Sequence, residues 1–84
     1  GWVTIDGGAI PFLANGADVM APGVVDAEKS ILVGDMVWVR EETHLKPLLI
    51  GRALMDADEM LASDSGKAVK TVHFVGDRYW KLGE

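Results

Sequence analysis

Cysteine is absent from this 84-residue chain, so neither a disulfide framework nor a thiolate metal site holds so small a fold together, and packing has to do it. No apolar run approaches the ~18–20 residues of a membrane-spanning helix, and no basic segment runs into an apolar one as in a secretion signal. The expectation is a cytoplasmic chain with no membrane partner. Lysine and arginine are missing from residues 1–28, and the net charge is −5. That is a poor start for binding phosphates, whose usual footprint is a basic domain. Aromatic residues make up only 7% of the chain, so the few tryptophans are expected mostly in the core, where large side chains are needed. No internal repeat, low-complexity tract or linker interrupts it.

What is present is ordinary globular composition, 49% hydrophobic and 25% charged, which excludes intrinsic disorder. The length makes residues 1–84 a single domain with a modest stability margin. The first residue is Gly1 rather than Met, which is read as the boundary of a module within a longer protein, or as an expression scar. Charge is unevenly spread. Residues 41–64 hold Glu41, Glu42, Asp56, Asp58, Glu59 and Asp64 against Lys46 and Arg52, whereas residues 67–82 hold Lys67, Lys70, Arg78 and Lys81 against Asp77.

Element signals follow one another closely. "WVTI" at 2–5 is β-branched and aromatic and stops at Asp6-Gly7-Gly8, so it reads as a strand. Ile10, Leu13 and Ala14 then recur at helical spacing over 9–15, with Pro11 tolerable in the first turn and Gly16 suited to the left-handed position after the last turn. "DVM" predicts a short strand that Pro22-Gly23 must end in a corner. "MVWVR" and "PLLIGRALM" predict an antiparallel hairpin, with Val37 and Val39 on one face. "DADEMLASDSG" predicts a second short helix with acids in its first turn. "KTVHFV" and "RYWKL", joined by Gly76-Asp77, predict a tight hairpin. Six or seven short strands with two short helices make a mainly β fold, closed or half-closed, since closure removes exposed edges.

Catalytic and metal signals are weak. His44 and His73 have neither a third ligand nor a helical His-x-x-x-His spacing, and they are read as a solvated and a half-buried side chain. Ser30, Ser63 and Ser65 lack a Gly-x-Ser-x-Gly elbow. No catalytic residue, metal or cofactor is expected. "DGGA" at 6–9 stands at a strand-to-helix junction, where free amides attract anions and glycine permits close approach. Trp38, Tyr79 and Trp80 are weighed as base-stacking platforms against a place in the core. Glu41-Glu42 is read as solvated surface, and the acids of 56–59 as solvated surface and a helix start.

"VTIDGGAIPFLANGADVMAPGV", followed by "GDMVWV", "IGRALM" and "VHFVGDRYWKL", resembles the PUA domain, named for pseudouridine synthases and archaeosine transglycosylases, over residues 3–82. Within that family it is most similar to archaeal and eukaryotic proteins of the malignant-T-cell-amplified-sequence type. The resemblance implies a PUA-type pseudo-barrel that binds RNA without catalysis, as the C-terminal module of a protein with its own N-terminal domain. It implies an RNA surface at Gly8, Ala9 and Pro11, along Gly16, Ala17, Asp18, Met20, Ala21, Pro22 and Gly23, and at Arg78 and Lys81, with Arg52 as a further phosphate contact. The small residues at 16, 17, 21 and 23 would keep the wall low, so that a nucleotide lies against backbone amides and Met20. The implied partners are structured RNA such as tRNA or rRNA and the small ribosomal subunit. Two other readings stand beside it: an accessory domain of an RNA-modifying enzyme, and a protein-interaction module using the acidic 41–64 face.

Overall fold

Short β-branched runs separated by turn residues build a single sheet. The computed structural model describes residues 1–75. In chain order it comprises β1 (Trp2–Ile5), a 3-10 turn (Gly7–Ala9), α1 (Ile10–Ala14), β2 (Val19–Met20) and a second 3-10 turn (Ala21–Gly23). These are followed by β3 (Val24–Ala27), β4 (Met36–Glu41), β5 (Pro47–Ala53), α2 (Ala57–Ala62) and β6 (Lys67–Phe74). The strand order is β2-β6-β5-β4-β1-β3. β1 runs parallel to β4, and the other pairs are antiparallel.

The outermost strands of this sheet, β2 and β3, are consecutive in the chain and joined only by the Ala21–Gly23 turn. One turn therefore links the two sheet edges and leaves a nearly closed barrel. The corner is pinned on both flanks: the Asp6 amide donates to the Gly23 carbonyl at 2.9 Å and the Ala21 amide to the Gly66 carbonyl at 2.8 Å. The expected mainly β pseudo-barrel with two short helices is thus observed, and the corner at Pro22-Gly23 is its seam.

The helices are set by their ends. Asp6 accepts the Gly8 amide at 3.1 Å before the first turn, and α1 stops where Gly16 adopts φ +90°. A side chain at that φ is strained, so glycine belongs there. Asp56 caps α2 by accepting the Glu59 amide at 2.8 Å, as its acidic first turn suggested.

Several expectations are corrected. β3 has no counterpart among the predicted strands: its two middle residues, Val25 and Asp26, are both exposed, so the alternation that announces a strand is missing. β6 begins at Lys67, earlier than "KTVHFV". His73 is exposed rather than half-buried, because an irregularity opposite Ile50/Gly51 inserts Val72 and turns His73 outward beside Ile50. The core is aliphatic, with Val3, Ile5, Leu13, Val37, Val39, Leu49, Met60 and Val69 all at 1% exposure or less. Trp2 and Trp38 lie on the outer face instead, their ring centroids 6.2 Å apart. The interior of so small a barrel is filled by branched aliphatic side chains, whereas a buried indole would also need a partner for its N–H. The hairpin at Gly76-Asp77, with Tyr79 and Trp80, lies outside the described residues. Among the described residues no helix is long and apolar enough to cross a membrane.

Glu41 is not solvated surface. It is 1% exposed, and its carboxylate accepts the amides of His44 and Lys46, the latter at 3.2 Å, organising the loop from β4 to β5. Burial pushes this carboxyl up, but the amides of His44, Lys46 and Thr43 together outweigh it and hold it below its ordinary value.

Two predictions follow from the packing. A Cβ on Gly51 would meet the Lys70 carbonyl oxygen and Val69 Cγ1 at 2.5 Å, so β5 and β6 close only over a bare backbone. Gly51→Ala should cost about 1–3 kcal/mol in urea unfolding, by overpacking. Because the folded Glu41 carboxyl sits below its unfolded value, its stabilisation is present in full above about pH 5 and is lost as pH falls through the folded value. Urea midpoints measured from about pH 7 down to about pH 3 should fall at the acid end, and Glu41→Gln should flatten that limb while lowering stability at neutral pH.

Candidate nucleic-acid interface

An open groove of about 590 Å³ lies beside the seam, lined by Ala9, Phe12, Leu13, Gly16, Ala17, Asp18, Val19, Met20, Gly23 and Lys67. Three local causes shape it. The end of α1 at Gly16 puts no side chain where the chain turns, β2 is only two residues long, and Gly23 presents no side chain beside the Ala9 methyl. The small residues thus keep this wall low. Above it stand two exposed apolar side chains, Phe12 at 68% and Met20 at 46%.

Electrostatically the groove turns on one pair. Asp18 accepts the Thr71 amide at 2.9 Å through Oδ1 and meets Lys67 Nζ at 3.2 Å through Oδ2. The Thr71 hydroxyl donates to the Ala17 carbonyl at 3.0 Å, so the 16–18 loop is stitched to β6. The Thr71 amide, and after it the Lys67 ammonium, hold the Asp18 carboxyl below its ordinary value against a smaller opposing push from burial. Asp18 therefore acts as a clamp whose charge is neutralised locally, and Lys67 is the cation that lines the groove among the described residues.

Of the residues singled out in the sequence, the groove brings together Ala9, Gly16, Ala17, Asp18, Met20 and Gly23. Gly8 and Pro11 are exposed at the start of the helix, and Pro22 is exposed on the turn, none of them lining the groove. Ala21 is buried at 2% exposure and belongs to the core. Arg52 projects from the outer face of β5 and donates to the Gly34 carbonyl at 2.9 Å, away from the groove. Arg78 and Lys81 lie outside the described residues.

The amides expected to meet a ligand are already engaged. Gly8 donates to Asp6 and Gly7 to Glu42, the latter at 3.3 Å, so the carboxylates of the chain itself occupy the anion-attracting junction at "DGGA". The amides of Gly16 and Ala17 bond back to the Leu13 and Phe12 carbonyls. What the groove offers instead is its shape, the apolar faces of Phe12 and Met20, and Lys67. Both Phe12 and Lys67 were missed in the sequence. Phe12 is a large apolar residue off the buried Ile10–Leu13 face, which is itself a signal, while Lys67 is placed by pairing with a loop far away in sequence. Among the described residues no group of three His, Asp or Glu side chains is placed to hold a metal ion.

The model of the PUA domain family matches residues 1–75. An uncharacterized protein of Methanocaldococcus jannaschii is 55% identical over 80 residues, covering 95% of this chain and 49% of that protein. Translation machinery-associated protein 20 of Schizosaccharomyces pombe is 38% identical, over 94% of this chain and 46% of its own. The Drosophila melanogaster homolog of malignant T-cell-amplified sequence 1 is 33% identical, over 92% and 44%. Among solved structures, a chain of an H/ACA RNP bound to a substrate RNA matches with a TM-score of 0.88 at 29% identity, over 94% of this chain and 25% of that one. The chain spans about half the length of the curated relatives it matches. Family model, relatives and barrel agree with the "DGGA…GADVMAPG" resemblance, and the chain belongs to the PUA domain family.

Proposed function

We propose that this chain is a non-catalytic RNA-binding module of a translation- or ribosome-associated cytoplasmic protein. Its ligand is an unpaired segment of structured RNA, such as tRNA or rRNA, received in the groove beside the seam. The observation that carries the proposal is the groove itself: low walls at Gly16, Ala17 and Gly23, two exposed apolar side chains, and a lysine at its rim. Unstacked RNA bases are recognised by stacking and shape, with basic side chains supplying phosphate attraction. Two supports lie outside the geometry, the translation-associated name of the yeast relative and the RNA-bound assembly that contains a similar domain. That assembly also favours a second reading, the accessory domain of an RNA-modifying enzyme, which the parent chain's catalytic half would decide. The acidic 41–64 face is less suited to protein docking, since Glu41 is buried, Asp56 caps α2 and Asp58 pairs with Lys29 at 2.9 Å.

The test is titration with single-stranded RNA and a tRNA transcript, read as amide shifts. Gly16→Glu would confound binding with strain, because Gly16 has φ +90°. Ala17→Glu is exposed and lines the groove. It should weaken RNA at least roughly tenfold, equivalent to about 1.4 kcal/mol, with an unchanged melting curve. Lys67→Glu should also lower the salt slope, by about 0.7 per lost phosphate contact. Unchanged affinity in both variants, with no shifts over 16–23, would refute the groove as the RNA site.

A further inference from the structure

The outer face of the sheet is built differently from the rest of this acidic chain. Strand pairing sets Met36, Arg52 and Lys70 side by side in one row across β4, β5 and β6. A second row runs Trp2, Trp38, Ile50 and His73 across β1, β4, β5 and β6. Arg40 lies one step further along β4, its Nε donating to Thr4 Oγ1 at 3.0 Å and its guanidinium carbon 5.2 Å from the centre of the Trp2 ring. Trp38 leans on Trp2 at 33° and remains 38% exposed, so the stack presents an accessible indole.

Carboxylates are absent from β1, β5 and β6, and the one in β4, Glu41, is buried. The acids near this face stand at its margins: Asp26 opposite Thr4, Glu28, which accepts the Trp2 amide at 2.6 Å, and Asp18, which accepts the amide of Thr71 beside Lys70. In a chain of net charge −5 this face therefore carries cations beside exposed aromatic and apolar side chains, without an acid among them. That combination fits an unpaired polynucleotide, whose bases stack on aromatic rings while its phosphates meet Arg and Lys.

We infer that this sheet face is a second RNA-binding surface, separate from the groove. A single strand stacks on Trp38 and is neutralised by Arg52 and Lys70. Lys70 is next in β6 to Thr71, whose amide donates to Asp18 at the groove at 2.9 Å. It thereby lies at the border of the two surfaces, where a strand could pass from one to the other. The inference rests on the face and not on the groove, and either can fail alone.

The experiment titrates the full chain, and the groove variant Ala17→Glu, with a single-stranded oligouridylate, following the Trp2 and Trp38 indole signals and the amides of β4–β6. Both proteins should show shifts at Trp38, Arg52, Lys70 and His73 that fade with salt. Trp38→Leu, remote from Asp18, should weaken the residual binding of Ala17→Glu about fivefold, within the range for loss of one stacked base. Lys70→Glu should flatten its salt slope by about 0.7. Melting curves matching the parent confirm that each variant is folded, and Lys70→Glu, an exposed change, keeps the test open if Trp38→Leu is not. The inference is overturned if this face gives no shifts in either protein, or if oligoglutamate of the same charge produces the same shifts as RNA, which would make it a docking site for acidic protein.

Discussion

Everything in this fold depends on the turn from Met20 to Val24. It carries the chain from one edge of a six-stranded sheet to the other, so a single corner links both edges. That duty explains why the corner is bare. Ala21 is buried, Pro22 fixes its own backbone angle, and Gly23 passes close to Ala9, while the amides of Asp6 and Ala21 fasten the corner to the strands on either side. A larger side chain at the buried Ala21 would overpack the seam. The groove is what such a closure leaves behind, because β2 is too short and α1 too abruptly ended to cover the space next to the corner. Corner and groove thus share Met20 and Gly23, while Ala21 is buried beneath them and Pro22 stands exposed outside the groove.

The charge of the chain misleads unless its partners are known. Several of its acids are used internally: Asp6 and Glu42 hold the glycine amides before α1, Glu41 ties the β4–β5 loop, Asp56 caps α2, and Asp18 fastens the 16–18 loop to β6. A carboxylate paired with a lysine contributes little field at a distance, whereas one held by neutral amides keeps its charge but in a fixed place. Among the described residues Arg40, Arg52, Lys67 and Lys70 gather on β4, β5 and β6, so a protein with a net charge of −5 still presents surfaces that suit a polyanion. In the same way Asp18, the one acid within the groove segment, is neutralised by Lys67 and does not repel a phosphate as a lone carboxylate would.

Membership of the PUA family accounts for the barrel, and particular residues of this chain account for its details. The glycines at 7 and 8 do not act as an anion nest here, because carboxylates of the same chain fill that role. Phe12 and Met20 give the groove a more apolar character than glycine and alanine alone would imply. Trp2 and Trp38, which composition assigned to the core, stand outside it, with Arg40 over the Trp2 ring, and they give the outer face of the sheet a chemistry of its own.

Much of this was legible in the chain itself, because it is written in local rules. Turn glycines and prolines, a helix-capping Asp56, and the alternation of Val37 and Val39 depend only on neighbouring residues, and they fixed five of the described strands, both helices and the corner. β3 escaped because its exposed middle residues erase the alternation. The sides taken by His73 and Glu41 depended on irregular strand register and on what the opposite strand supplied, neither of which a linear pattern encodes, whereas Trp38 lies outside by the same alternation that buries Val37 and Val39. Lys67 reached the groove through its register opposite Met20 and its ion pair with Asp18, both far away in sequence, and Arg52 faces away from the groove through the register of β5. Sequence by itself determined the family, the barrel and the segment of the groove. Tertiary structure alone decided which charges are spent within the fold and which face solvent, since that depends on distances between parts of the chain that are remote in sequence.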